Sequence, residues 1–552
     1  MSIPGTISLA STTALPADRM PAAIVRRPRD TSHAQLFSDH SQALDASYKE
    51  AAVFKDDTTA TSRLSALIGT DSYLRWRPRT HLMPRQGWIN DPCAVGYHAA
   101  SQTYHVGFQW NPDDTAWGNI SWGAAHSRDL VSWTTSSKPT LVPCREYDSL
   151  GIFTGCWVPS SIDGSTDNSN VISVYTAVKH LPIHYTRPYV RGSETIALAI
   201  SSDAGRSWTR YANNPVVLGP PPDLDVTGWR DPYVAPWTAI TALLHHQHQR
   251  HEASILSKEA GCTMAKPLYG LLSGGIRGKT PTTFLYEIDG RALDSWRYLG
   301  PLIELGLNFS PCPRWVGDFG ANWEVCNFVS LSDNASGTSP RNFLICGVEG
   351  RLASTEDLLL KGEFMATHAQ MWLSGPIDCE EETPRMRYRS GGILDHGAYY
   401  AGSSFWDPQT EQQVIFGWLV EDDLPPELRD QQGWAGAMSL PRILKVLVLH
   451  SVTGALLSKL EDIGPFEFVT EGDSTTVYTG YSLCMVPDPR LEKLRLGEQS
   501  HLILLQGGLL ESFFTKPLTT WELKVTFRLG HARGRLGFSI LHGHGTFRPP
   551  PD

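Results

Sequence analysis

"GWINDPCA" (Gly87–Ala94) sets an aspartate between an asparagine and a proline, three residues after a tryptophan. Proline cannot donate to a strand ladder, so it normally marks a sheet edge or a strand end. Asn, Asp and Pro are also ordinary turn formers, and for these eight residues alone a turn is the simpler reading. The rest of the chain decides against it. Counting from Asp91, the marked stretches "FTGCW" (from Phe153), "GWRDPYV" (Asp231), "ANWEVCNFV" (Glu324) and "LDHGAYYAGSSFWD" (Tyr400) follow at intervals of 62, 78, 93 and 76 residues. One marked strand per unit of that size, five in all, fits an all-β chain built from propeller blades. In such a fold the innermost strands converge on a central channel and bring distant residues together.

The texture around these stretches agrees. From residue 76 onward, short runs such as "TYHVGFQW", "NVISVYTAV", "TIALAIS", "FLICGV" and "QVIFGWLV" alternate with Gly/Pro/Asn/Asp turns, the signature of successive strands. A weak repeat runs through them: "SRDLVSW" (127–133), "SSDAGRSW" (201–208) and, less closely, "LDSW" (293–296). In each, a turn aspartate can bond its own backbone while the tryptophan packs under the hairpin. The tryptophans Trp133, Trp208 and Trp296 stand 75 and 88 residues apart, again about one blade. Chance hairpins in a sandwich are the competing reading.

Three domains are expected. Residues 1–75 are Ser/Thr/Asp/Ala-rich and read as a largely disordered extension with a short helix near "SQALDASYKEAAVF" (41–54). Residues 76–465 form the propeller, and 466–552 a shorter β unit with strands in "TTWELKVTFRLG" and "RLGFSILHG". "TALLHHQHQRHEASILSKEAGCTMAK" (241–266) interrupts the β texture as an inserted loop or short helix. Its histidines 245, 246, 248 and 251 read as a solvated, low-complexity tract rather than a metal site.

Composition narrows the function. A net charge of −10 argues against a nucleic-acid partner, which would want a basic stripe. No run of 18 apolar residues suggests a membrane helix. The 18 tryptophans, 18 tyrosines and 19 phenylalanines suit either sugar platforms or a β-rich core. Nine scattered cysteines show neither a disulfide framework nor zinc spacing, so no metal and no cofactor are expected. "MSIPGTISLASTTALPADRMPAAIVRRPRD" lacks the basic and apolar regions of a secretory signal, which reads as cytoplasmic for the chain as written, or secreted if another N-terminus precedes it.

Asp91, Asp231 and Glu324 are the candidate chemistry. Two precede prolines, and the third interrupts an apolar strand, where an unpaired charge is expensive. Strand alternation would put Glu324 and Cys326 on one face. Arg230 could simply neutralise its neighbours, but three such acids beside aromatics point to catalysis. Two carboxylates ~5–5.5 Å apart suit retaining glycoside chemistry, one as nucleophile and one as acid/base.

Read in order, "HLMPRQGWINDPCA", "FQWNP", "WGNISWGAAHSRDLVSW", "FTGCW", "GWRDP", "SGGIRG", "WEVC", "DHGAYYAGSSFWD" and "GWAGAMSLPR" resemble glycoside hydrolase family 32, the invertases, inulinases and fructosyltransferases, over about residues 80–445. The resemblance implies a five-bladed β-propeller followed by a β-sandwich. It implies a retaining β-fructofuranosidase or fructosyltransferase acting on sucrose or short fructo-oligosaccharides, with no nucleic-acid or membrane partner. The nearest alternatives are an inulin-type fructan hydrolase and a non-catalytic sugar-binding propeller. By motif, Asp91 would be the nucleophile and Glu324 the acid/base, with Asp231 holding fructose hydroxyls. Asn90, Gln109, Trp117, Phe153, Thr154, Arg230, Glu349, His368 and Tyr400 would line the pocket, and Cys326 would tune Glu324. Pro92 and Trp88 would make the strand end under the nucleophile rigid.

Three features depart from the broad family. Cys93 and Ala94 stand where Asn-Gly is usual, which resembles the fungal fructosyltransferase branch. Ala124 replaces a usual histidine, with His126 two places on. The sandwich is expected to be cut short.

Overall fold

The computed structural model describes residues 6–10, 58–158, 170–244, 267–332, 339–351, 368–380, 383–422, 424–456, 458–472, 476–495, 503–505 and 524–528. The chain divides into two compact units, 32–491 and 1–31 with 492–552. In the second of these, Thr6–Ala10 runs parallel between Ile503–Leu505 and Lys524–Arg528, so part of the N-terminal stretch expected to lack structure is a strand. The rest of this section concerns 32–491.

The described part of that unit is mostly β. It contains five antiparallel sheets in chain order, led by β1 (Gly87–His98), β2 (Gly151–Val158), β3 (Val226–Ala235), β4 (Asn322–Leu331) and β5 (Tyr399–Asp407). Sheets two to four have four strands each in simple sequence order, with the fourth strand of sheet four reached past the hairpin Ile377–Glu380/Thr383–Met386. Each leading strand neighbours the next, and β5 neighbours β1, so the five sheets form a closed cycle. Trp434–Ala435, from late in the chain, pairs in parallel with Gly87 and Trp88 of β1, while Ala437–Met438 pairs with Trp418 and Leu419 of sheet five. One short segment therefore staples the last sheet to the first.

Because the sheets pack face to face, their strands are buried on both sides. Val171–Val178 is buried at every position, as is Thr103–Asn111. That is why the apolar runs are nearly continuous rather than alternating. The tryptophans serve this core: Trp88, Trp122, Trp229, Trp323 and Trp434 are fully buried and cannot act as sugar platforms. The repeated turns behave as expected. Asp129 Oδ1 accepts the N–H groups of Val131 and Ser132, and Asp203 Oδ1 accepts that of Ser207. The Trp133 indole donates to Leu130 O and that of Trp296 to Leu293 O, so "LDSW" shares the motif's clasp as well as its spacing. Each of these tryptophans lies in, or just before, the outermost strand of its sheet.

Differences from expectation lie at the borders. Within 1–75, residues 58–75 hold two helices, α1 (Thr58–Leu67) and α2 (Asp71–Arg75), the second capped by the Thr70 hydroxyl. Buried Tyr73 accepts the Trp434 indole N–H at its carbonyl, which ties α2 to the closing segment. The helix expected at 41–54 and the histidines at 245–251 lie outside the described residues; a helical turn is described over 238–244. Past residue 465, Glu467–Thr470 and Tyr478–Pro487 extend sheet five through Arg442–Val452.

Candidate active site

Every leading strand breaks its register beside its candidate residues, and β1 and β3 break it a second time, at Cys93/Gly96 and Val226/Gly228. The ladder skips between Ile89 and Pro92 in β1, Ile152 and Gly155 in β2, Arg230 and Tyr233 in β3, Glu324 and Asn327 in β4, and Tyr400 and Ser403 in β5. These are β-bulges, which add residues to one strand and re-aim its side chains. Asn90 and Asp91, Phe153 and Thr154, Asp231 and Pro232 fall inside the skipped stretches; Arg230, Glu324 and Tyr400 sit at their edges. The backbone is strained there: Asp231 has φ 57°, Val325 φ 46° and Ala401 φ 53°, a left-handed region that costs a β-branched residue such as valine most. This corrects two expectations. Pro92 does not end a strand; it lies inside β1, where the bulge removes the need for its missing N–H. Glu324 and Cys326 do not share a face, because the bulge between them breaks the alternation. Cys326 is wholly buried in an apolar cluster with Phe328, Leu344 and Cys346, and its thiol reaches the backbone carbonyl of Glu324 (3.8 Å), not its carboxylate.

The N–H groups freed by the bulges are caught by side chains of the preceding sheet. Asp231 N–H donates to Thr176 Oγ1 (2.9 Å) in sheet two. Val325 N–H donates to Asp231 Oδ2 (3.1 Å) and Cys326 N–H to Ser273 Oγ (2.9 Å), both in sheet three. Gly402 N–H donates to Gln370 Oε1 (3.0 Å) and Ser404 N–H to Asn327 Oδ1 (2.7 Å), both in sheet four. Asn327 also donates to Val325 O and Gly402 O. Thr176, Ser273, Asn327 and Gln370 escaped the sequence reading. Their only mark is a polar residue inside an apolar run, a weak signal when ladders already satisfy most strand backbones.

The functional side chains meet at these bulges. Asp91 is nearly buried; its Oδ2 accepts the Thr154 hydroxyl (2.5 Å) and the Gln109 amide (3.2 Å), and Gln109 also bonds Thr154 (2.6 Å). Its Oδ1 accepts no hydrogen bond among the described residues. Next to it, Asn90 Oδ1 is buried without a partner among the described residues. Glu324, the most exposed of the three acids at 21% of its side chain, accepts Arg230 Nη2 (2.7 Å) on one oxygen and the Tyr400 hydroxyl (2.9 Å) on the other. Arg230 is buried. Its other edge bonds Glu194 (3.0 Å), and Glu349 and Asp231 lie 3.7 Å and 3.9 Å from it. Glu349 and His368 face each other in register with 3.5 Å between Oε1 and Nε2, Asn322 bonds the other Glu349 oxygen, and the His368 ring packs on Tyr400. Trp117 and Phe153 form an edge-to-face pair, ring centroids 6.1 Å apart. The structure therefore joins all the expected site residues except Cys326. Arg230 does pair with Glu324, as the plainer reading of the acids required, but it does not neutralise the group as a whole.

The electrostatics follow from burial. Asp91 is pushed up to about 7, first by desolvation and then by the charge of Glu324, with Thr154 and Arg230 opposing. Asp231 is raised well above the carboxylate range, chiefly by burial, with Asp91 and Glu324 adding to it and Arg230 opposing. Burial would raise Glu349 too, but His368, Arg230 and His184 outweigh it and hold Glu349 at about 2. Burial lowers His368, and its bond to Glu349 overcomes this and raises it. Burial and mutual like charge therefore both favour the protonated forms of Asp91 and Asp231. Among the described residues no group of His, Cys, Asp and Glu is arranged to hold a metal.

A cluster of buried acidic groups, one of them held by a tyrosine and an arginine, suits the two-carboxylate chemistry of glycoside cleavage. Residues 81–256 and 274–459 match the glycosyl hydrolases family 32 N-terminal domain, and the chain belongs to that family. It is 28% identical over 376 residues to the acid beta-fructofuranosidase of Solanum lycopersicum, which covers 68% of this chain and 50% of that protein. The chain spans about half the length of the curated relatives it matches. Among solved structures, it resembles the Aspergillus kawachii beta-fructofuranosidase complexed with glycerol (TM-score 0.65, 27% identity, 79% of this chain and 69% of that one). It resembles the fructosyltransferase from A. japonicus to a similar degree (TM-score 0.63, 27% identity, 79% and 71%).

Proposed function

We propose that the closed cycle of five sheets is a five-bladed propeller whose central channel holds a retaining β-fructofuranosidase site for sucrose or short fructo-oligosaccharides. The observation that carries this reading is the convergence of Asp91, Asp231 and Glu324, from β1, β3 and β4, around Arg230.

Asp91 is the nucleophile. Thr154 and Gln109 hold its Oδ2, which leaves Oδ1 to attack the anomeric carbon of the fructosyl unit. Glu324 protonates the departing glycosidic oxygen, the leaving sugar carries that proton away, and a covalent fructosyl-aspartate remains. The ionised Glu324 then takes a proton from water or from a sugar hydroxyl, which attacks the same carbon and releases Asp91. Two displacements return the β configuration. Asp231, with its proton held by burial, bonds fructose hydroxyls, and the unpartnered Asn90 Oδ1 offers an acceptor to another. Tyr400 and Arg230 orient Glu324. Trp117 and Phe153 wall the fructose ring, and Glu349 and His368 line the pocket beside Arg230 and Tyr400.

A second reading, transfer to sugar rather than to water, draws on Cys93–Ala94 and on the likeness to the A. japonicus fructosyltransferase. Product analysis on concentrated sucrose tests both. Cleavage with trisaccharide rising with sucrose concentration supports transfer, and equal glucose and fructose without trisaccharide supports hydrolysis. First-formed α-fructose would overturn the retaining mechanism and the role of Asp91. Binding of sucrose without turnover would leave a sugar-binding propeller.

A further inference from the structure

Glu194 opens the strand Glu194–Ser201, the third of sheet two, and its side chain is fully buried. One carboxylate oxygen accepts Arg230 Nη1 (3.0 Å) and the other accepts the Trp229 backbone N–H (2.9 Å). Both bonds reach across to β3, to the two residues just before Asp231. The opposite edge of the same guanidinium holds Glu324, through Nη2 at 2.7 Å and Nε at 3.3 Å. Arg230 is thus clamped between two carboxylates, one buried and one facing the site.

A buried arginine needs one counter-ion, because an unpaired charge inside the protein is expensive. If Glu324 were a fixed anion, it would suffice alone. The proposed mechanism does not allow that: Glu324 must be neutral before the first step and anionic after it. We propose that Glu194 is a positioning residue, the permanent counter-ion of Arg230, which lets Arg230 orient Glu324 while Glu324 keeps the proton it delivers. This rests on the assignment of Glu324 as the acid. Without the Glu194 charge, Arg230 would draw on Glu324 as its main partner and favour its ionised form. Burial works against the charge of Arg230, and Glu194 leads the carboxylates that sustain it.

Other charged and polar groups also face this clamp. Glu324 also faces the Tyr400 hydroxyl and the charges of Asp91, Asp231, His184 and His368, and Glu349 lies 3.7 Å from Arg230. Tyr189 lies within reach of the Glu194 charge.

The test is the pH profile of kcat/KM for sucrose in the wild type, E194Q, E194D and E324Q. E194Q keeps the size of the side chain and loses its charge. Its alkaline limb, where activity needs a protonated acid, is expected to move down by about one pH unit or more. E194D, which keeps the charge at a shorter reach, moves the limb less. E324Q is expected to be near-inert toward sucrose yet active on a fructosyl donor whose leaving group needs no proton, which assigns the acid to Glu324. D148N, which breaks the buried pair (2.7 Å) between Asp148, in the turn Glu146–Asp148 before sheet two, and Arg210 in its last strand, lowers stability and leaves the limb where it was. If E194Q does not fold, E194D carries the test, since a merely structural role lowers its activity without moving the limb. A wild-type limb unmoved in E194Q, or in E194D where only that variant folds, overturns the role of Glu194 and leaves the function standing. A wild type inert toward sucrose overturns both.

Discussion

Asp231 Oδ2 accepts the backbone N–H of Val325 at 3.1 Å, so the carboxylate of β3 anchors the strained residue that follows Glu324 in β4. Two acids that lie 93 residues apart in sequence are coupled through one hydrogen bond. Asp231 therefore has two separable duties: its protonation state toward the substrate, and its hold on the bulge that aims Glu324.

Those duties separate by substitution. Asp231→Asn retains an oxygen acceptor for Val325 N–H and should melt near the wild type while losing most sucrose cleavage. Asp231→Ala leaves that N–H buried and unsatisfied and should lose a further ~1–3 kcal/mol of stability. Thermal melting of the two variants beside the wild type checks this. Equal melting temperatures would mean that the hydrogen bond does not hold the bulge.

Asp91→Ala and Glu324→Ala should each abolish sucrose cleavage and still fold. General acid help alone is worth ~10²–10⁴-fold, and loss of the nucleophile removes the covalent route altogether. Steady-state rates with circular dichroism on the same samples decide it; near-normal turnover by either variant removes that residue from the mechanism.

Asp91 also makes a pH-dependent demand on stability. Folding raises its proton affinity from the usual 3.8 to about 7, so its contribution to stability is greatest below about 3.8 and is lost as pH rises through about 7. Above that, the fold must carry a buried charge. Asp91→Asn should then melt several degrees higher than the wild type at pH 8, with the difference shrinking toward zero below pH 4. At about 1.4 kcal/mol per pKa unit, about 4 kcal/mol is the upper bound. A gap that grows on acidification would contradict the assignment.

Asn327 clasps two bulges at once, through Val325 O, Gly402 O and the Ser404 N–H and hydroxyl. Asn327→Ala strands several buried groups and should cost about 3 kcal/mol or more. It should also lower kcat more than it raises KM, because Glu324 and Tyr400 sit beside those bulges. Denaturant unfolding and initial rates measure the two effects. A stable variant with full kcat would show that the bulges need no clasp.

Much of this was legible along the chain. The strand runs, the turn–tryptophan repeat and the spacing of Asp91, Phe153, Asp231, Glu324 and Tyr400 are local patterns, and local patterns survive in a linear sequence because turn chemistry and side-chain burial act over a few residues. Asp91, Asp231 and Glu324 could be singled out because an acid beside proline or inside an apolar strand conflicts with its setting. The tertiary structure decided what depends on neighbours in space. Pro92 proved to lie mid-strand and Cys326 to face the core, because a bulge shifts the register by a residue and no sequence period marks where it falls. The clasps by Thr176, Ser273, Asn327 and Gln370, the clamp of Glu194 on Arg230, and the stapling of β1 by Trp434–Ala435 each join residues tens to hundreds of positions apart. A hydrogen bond depends on distance in space, and only the closed cycle of sheets brings those partners within 3 Å or so of one another.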